Sequence, residues 1–114
     1  MYRKVLVDQN DHVALKAAAS RNHERFQDVQ ARAVSRYVDT YANARADMLT
    51  AAKDVQLINP VWQGWCVPSE TWNKFAQLRA WSGLTTGTML HEAVRLELEY
   101  QGVLDSISTE LVSA

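Results

Sequence analysis

The side chains able to carry covalent or acid–base chemistry are scattered along this chain. His12, His23 and His91 lie far apart, and none stands at ligand spacing from another. His91-Glu92 lacks the second histidine that a zinc-binding helix places one turn on. Cys66, the single cysteine, sits beside Val67-Pro68 with no His or Asp near it in sequence, so it reads as a structural thiol and not a nucleophile. There is no Gly-rich phosphate loop, no Ser-His-Asp arrangement and no conspicuous carboxylate pair. Neither an enzyme nor a bound metal or cofactor is expected. What remains is electrostatics and aromatic surface. Arg25, Arg32 and Arg36 share one side of a helical stretch, with Arg21 nearby; this side reads either as a solvated face, with Asp28 at helical spacing from Arg32, or as an edge that contacts phosphates. Thr85 and Thr86 read as helix caps. Four tryptophans, Trp62, Trp65, Trp72 and Trp81, crowd one short region. Trp72 and Trp81 read as core or seam aromatics.

At 114 residues the chain has room for one domain or two very small ones. Its apolar content and mixed charge are those of a globular protein. No apolar run approaches a membrane span, and the apolar part of MYRKVLVDQ is too short for a signal peptide. One cysteine excludes an internal disulfide framework and fits a reducing, cytoplasmic setting. The formal net charge is −1, but its sign is unevenly spread. Up to Leu57 the balance is about +2, and beyond it about −3, an asymmetry that turns one side more readily to a polyanion.

The elements that must position these residues are clearest from Trp62 to Tyr100. A short extended run, Trp62–Val67, is stopped by Pro68, which has no N–H for a ladder. Ser69 is the expected N-cap of a helix carrying Trp72, Phe75 and Leu78. Ser82-Gly83 ends it, with Gly83 in the left-handed position. A second helix follows from Thr85-Thr86, striped by Met89, Leu90, Ala93, Val94, Leu96 and Leu98, and Gly102 is expected to end it. The first half repeats this order. Tyr2–Val7 reads as a strand, and Asp8, Asn10 or Asp11 caps a helix to Arg21 with Asn22 in the left-handed position. A second helix then runs from about Arg25 into Ala42–Ala46 and onward through Met48 and Ala52. Sliding the chain by sixty residues lays Val5 on Trp65, Val7 on Val67, Leu15 on Phe75, Val29 on Met89, Ala33 on Ala93 and Val34 on Val94. The organisation expected is a first copy over residues 1–46, a linker over 47–60, a second copy over 61–102 and a tail over 103–114.

The stretch VPSETWNKFAQLRAWSGLTTGTMLHEAVRLELEY resembles the ribbon-helix-helix superfamily of the MetJ/Arc type, and KVLVDQNDHVALKAAASRNHERFQDVQARAVSRYV resembles a degenerate second copy. A tandem copy in one chain is similar to the TraY type of conjugation protein. The resemblance implies a mainly α fold: a two-stranded antiparallel ribbon, Tyr2–Val7 against roughly Trp62–Val67, backed by four helices as a tandem pseudo-dimer. Such ribbons enter the DNA major groove, with one face touching base edges and the other in the core. Val5, Val7, Trp65 and Val67 are expected to face in, and Tyr2, Lys4, Leu6, Trp62, Gly64 and Cys66 to face out. The opposite parity would offer Arg3 and Gln63 but would expose Trp65. The resemblance also implies that the second helices aim their N-termini at flanking phosphates, here at Thr85-Thr86-Gly87 in one copy and Arg25-Phe26 in the other, with Arg21 beside the latter.

The expected function is therefore binding of double-stranded DNA, as a repressor or as an accessory protein of plasmid conjugation or partition. The outward ribbon departs from the family in carrying Lys4 as its one charged group. This motivates an alternative, a protein-interaction module or inhibitor on the same fold. A third possibility is a helical dimer without any ribbon. The chain is expected to be a monomeric pseudo-dimer or a homodimer.

Overall fold

The computed structural model describes the backbone of residues 1–113 and the side chains of residues 1–102. Strand β1 spans Tyr2–Asp8 and β2 spans Pro60–Cys66. They pair antiparallel, from Tyr2 opposite Cys66 to Asp8 opposite Pro60. This ribbon excludes the ribbon-free helical dimer. Among the described residues there are five helices: α1 Gln9–Arg21, α2 Phe26–Tyr41, α3 Arg45–Ala52, α4 Ser69–Ser82 and α5 Thr86–Ser113. Among the described residues no helix is long and apolar enough to cross a membrane.

Period-two alternation makes the ribbon two-faced. Val5, Val7, Trp65 and Val67 are buried, as their parity predicts. Helices α2 and α5 form the centre of the body behind them, through Val29, Ala33, Val34 and Tyr37 on one and Met89, Leu90, Ala93 and Val94 on the other. Phe75 of α4 closes the core edge-on to Trp72, with ring centroids 5.4 Å apart. Trp72 is thus a core aromatic, whereas Trp81 is half-exposed with the Arg45 guanidinium 5.2 Å from its ring centroid.

Local signals explain most of the boundaries. Asp8 caps α1, its Oδ1 accepting from the Asn10 N–H at 2.8 Å. Its Oδ2 accepts from the Ile58 N–H at 2.8 Å, so one buried carboxylate joins a helix start to the segment before β2. The Ile58 N–H holds the Asp8 carboxyl below its usual value, outweighing the cost of burial. Gly83 takes the left-handed conformation, φ 72°, and its N–H closes α4 on the Arg79 carbonyl at 2.9 Å. Thr85 caps α5, with Oγ1 accepting from the Thr88 N–H at 3.2 Å.

Five boundaries differ from expectation. Asn22 keeps φ −92° and His23 takes the left-handed position at φ 56°, while the Asn22 amide donates to Gln101 Oε1 at 3.0 Å. The second helix does not continue into the linker. It breaks at Ala42–Ala44 and resumes as α3, whose Met48 and Ala52 are buried. Strand β2 begins at Pro60, not Trp62, since the first residue of a strand needs no ladder N–H. Pro68 occupies the cap position of α4 with extended backbone, ψ 142°, and Ser69 is the first helical residue without a capping bond. Gly102 does not stop α5, which runs on to Ser113. A glycine inside a helix costs about 1 kcal/mol relative to alanine, too little alone to end one.

Buried polar groups fasten the layers. Glu97, with no exposed surface, accepts from Arg32 Nε at 2.7 Å, Arg36 Nε at 3.0 Å and Gln101 Nε2 at 2.9 Å. Arg32 reaches Glu24 as well, at 2.7 Å, and that carboxylate lifts the guanidinium pKa further above its already high value. Burial pushes the His12 imidazole below its ordinary value, with Phe26 edge-on at 5.3 Å. His91 Nδ1 meets Asp11 Oδ2 at 2.8 Å, joining α5 to α1.

Candidate nucleic-acid interface

Six residues form the outer face of the ribbon, and the register sets them in three cross-strand pairs: Tyr2 with Cys66, Lys4 with Gly64, Leu6 with Trp62. Tyr2 is 65% exposed, Trp62 66% and Leu6 37%. Gly64 lies under the ring of Tyr2, where a side chain of its own would collide with the ring. Lys4 is the one charged group of the six and stands at the middle of the face. Arg3 and Gln63 belong to the other parity. Arg3 pairs with Trp65, its guanidinium 5.8 Å from the Trp72 ring centroid, and Gln63 is half-buried opposite Val5. Neither shares a face with Tyr2 and Lys4.

A hollow flanks the ribbon on each side. One, of about 480 Å³, lies at the N-terminus of α2 and is lined by Tyr2, Arg25, Phe26, Gln27, Gln30, Gly64 and Cys66. The other, of about 330 Å³, lies at the N-terminus of α5 and is lined by Lys4, Val5, Leu6, Leu57, Trp62, Thr85, Thr86 and Gly87. Six of the first seven residues map onto the second set by the sixty-residue shift: Tyr2, Arg25, Phe26 and Gln27 onto Trp62, Thr85, Thr86 and Gly87, and Gly64 and Cys66 onto Lys4 and Leu6.

The two helix starts are built alike. Asp28 and Val29 N–H groups fold back on the Arg25 carbonyl at 3.0 and 3.2 Å, and the Met89 N–H does so on Thr85 at 3.1 Å. The N–H groups of Phe26 and Gln27, and of Thr86 and Gly87, are those that a helix beginning here leaves without an intrahelical partner. Together with the positive end of the helix dipole they favour an anion at both flanks. Arg25 adds an exposed cation at the α2 start, its guanidinium against the Gln27 amide. Gly87 admits the α5 start to the ribbon edge, since a Cβ there would lie 2.7 Å from the Leu6 carbonyl oxygen.

The remaining arginines divide. Arg21 ends α1, exposed, and lines neither hollow. Arg32 and Arg36 are taken by Glu24 and Glu97, and the Asp28–Arg32 pairing expected from spacing does not form. Of this arginine group, Arg25 is the one that reaches the ribbon.

Gln30 was not legible as a site residue. It is 2% exposed, and its amide donates to the Gly64 carbonyl at 3.0 Å and accepts from the Cys66 N–H at 3.2 Å. It clamps the free edge of β2 to α2 and so fixes the height of the outer face. The trace in sequence is a glutamine beside the apolar stripe of Val29, Ala33 and Val34. Among the described residues no three His, Cys, Asp or Glu side chains come together as a metal site. Comparison with protein-family models, with curated proteins and with solved structures finds no match to this chain.

Proposed function

We propose that this protein binds double-stranded DNA by laying the β1–β2 ribbon in the major groove, with the starts of α2 and α5 on the flanking phosphates. The reading includes a tandem ribbon-helix-helix pseudo-dimer within one chain, acting as a repressor or as an accessory protein of plasmid conjugation or partition. One observation carries it: two hollows related by the sixty-residue shift, each at a helix N-terminus, on either side of a ribbon whose centre is Lys4. The register supports the same reading, because Lys4 and Gly64, equivalent under that shift, stand directly opposite each other. Catalysis has no part in it. Lys4 and Arg25 are the cations that line this surface and its hollows, and each phosphate neutralised contributes a slope of about −0.9 in log affinity against log salt. A fluorescence-anisotropy titration with labelled duplexes at low salt is expected to give a dissociation constant of micromolar or tighter, with a slope of about −2. Absence of binding at micromolar protein in low salt would refute the reading.

A second reading rests on Trp62, 66% exposed beside Leu6. Exposed apolar side chains in one patch also suit a protein partner. Capture of one stoichiometric partner, lost on Trp62→Ala, together with failure to bind duplex DNA, would select that reading.

A further inference from the structure

The two ends of the outer ribbon face differ in chemistry. At one end stand Tyr2 and Cys66 beside the hollow that Arg25 and Gln27 help to line. At the other stand Leu6 and Trp62, beside a hollow whose wall includes Leu57 and Val5. Leu6 and Trp62 offer no bidentate hydrogen bonds to a base edge. They offer an exposed apolar surface between Lys4 on the ribbon and the open N–H groups of Thr86 and Gly87. What seats there must be apolar at its centre and anionic at its edges. In a duplex the major groove meets that description at the C5-methyl group of a pyrimidine, the one apolar group among the base edges, with phosphates on both sides.

We propose that the Leu6–Trp62 end of the ribbon reads pyrimidine C5-methyl groups, those of thymine or 5-methylcytosine, while the Tyr2–Cys66 end does not. The proposal rests on the DNA-binding reading above and adds to it a ligand group and two specificity residues. The preferred site is then asymmetric, with methyl-bearing pyrimidines in one half. Burying one methyl group is worth about a fourfold change in affinity.

Two matched polymer pairs test this, because each changes the methyl group and keeps the base pairing: poly(dA-dT) against poly(dA-dU), and poly(dG-5-methyl-dC) against poly(dG-dC). The full chain is expected to bind the methylated member of each pair about fourfold or more tightly. Leu6→Ala and Trp62→Ala, both at exposed positions and checked for unchanged circular dichroism, are expected to reduce the preference toward parity, whereas Tyr2→Ala leaves it intact. Binding of both members of each pair with equal affinity overturns the methyl proposal and leaves the DNA-binding reading standing. A preference that survives in both Leu6→Ala and Trp62→Ala overturns the assignment of the reader. Absence of binding to all four polymers overturns both readings and returns the apolar end to a protein partner.

Discussion

The hollow at the start of α2 and the hollow at the start of α5 occupy corresponding places beside the ribbon, yet they are held by different means. On the α2 side a buried side chain, Gln30, spans the gap and hydrogen-bonds the strand edge twice. On the α5 side the residue sixty positions on is Leu90, buried and apolar, and Gly87 lets the helix start approach the strand backbone directly. The helix starts contrast as well. Thr85 caps α5 with its hydroxyl, whereas Arg25 stands at the cap of α2 without a side-chain cap bond and sends its charge outward. The same geometric problem, holding a ribbon edge against a helix start, is thus solved once by hydrogen bonds and once by close backbone packing. The first solution frees the cap residue to be a cation, and the second frees the wall to be apolar.

That contrast can be broken by exchanging the two solutions. The largest effect is expected at Gly87. Gly87→Ala places a methyl against the Leu6 carbonyl and Leu57, so α5 must lift from the ribbon at a cost of about 1–3 kcal/mol in urea unfolding, while Gln27→Ala at the corresponding place stays within about 0.5 kcal/mol. Gln30→Leu, which copies Leu90 into the α2 side, strands the Gly64 carbonyl and the Cys66 N–H, and the same assay is expected to show a loss of about 1–3 kcal/mol. Thr85→Ala removes the α5 cap bond and costs about 1 kcal/mol, whereas Arg25→Ala leaves stability within about 0.5 kcal/mol. In DNA titrations Arg25→Ala is instead expected to reduce the salt slope by about 1. A pH-dependent effect concerns Asp8, at the ribbon end near the α5 side. Its carboxyl is held below the usual value in the folded state, so the folded protein binds fewer protons than the unfolded chain as acid is added. The contribution is present above the ordinary carboxylate range and is lost as pH falls through the lowered folded value. Acid unfolding monitored by circular dichroism is expected to show Asp8→Asn less stable than the parent at pH 7, with the gap closing at low pH.

How much of this was legible depends on whether a residue's role is local. Alternation in YRKVLV and at Trp65-Cys66-Val67 signalled which ribbon face is buried, because a strand has only two faces. Gly83 and Thr85 announced their positions because a left-handed cap and a hydroxyl cap are set within four residues. The break at Ala42–Ala44 was hidden, since alanine favours helix and nothing there forbids one. Beyond it Met48 of α3 is buried in the core, a contact that no local pattern announces. Gly102 misled for the reverse reason, as its local cost is outweighed by continuing the helix. Arg32 and Arg36 read as part of a solvated or phosphate-facing side of α2, whereas both turn to Glu97 on another helix, out of reach of any spacing rule. Gln30 was hidden likewise, because its two hydrogen bonds go to a strand more than thirty residues away.

The ribbon also has an order-of-assembly consequence. Its strands are not joined by a hairpin: Tyr2 pairs with Cys66, and α1, α2 and α3 lie between them in the chain. Contacts so distant in sequence form late, because the intervening chain must be organised before closure is rewarded. During synthesis β1 emerges first and waits, an unpaired edge, until β2 has left the ribosome. A chain truncated before Pro60 therefore has no ribbon at all. The outer face with Lys4 at its centre exists only in a molecule both of whose halves have been made, so that any activity residing there is withheld from incomplete chains.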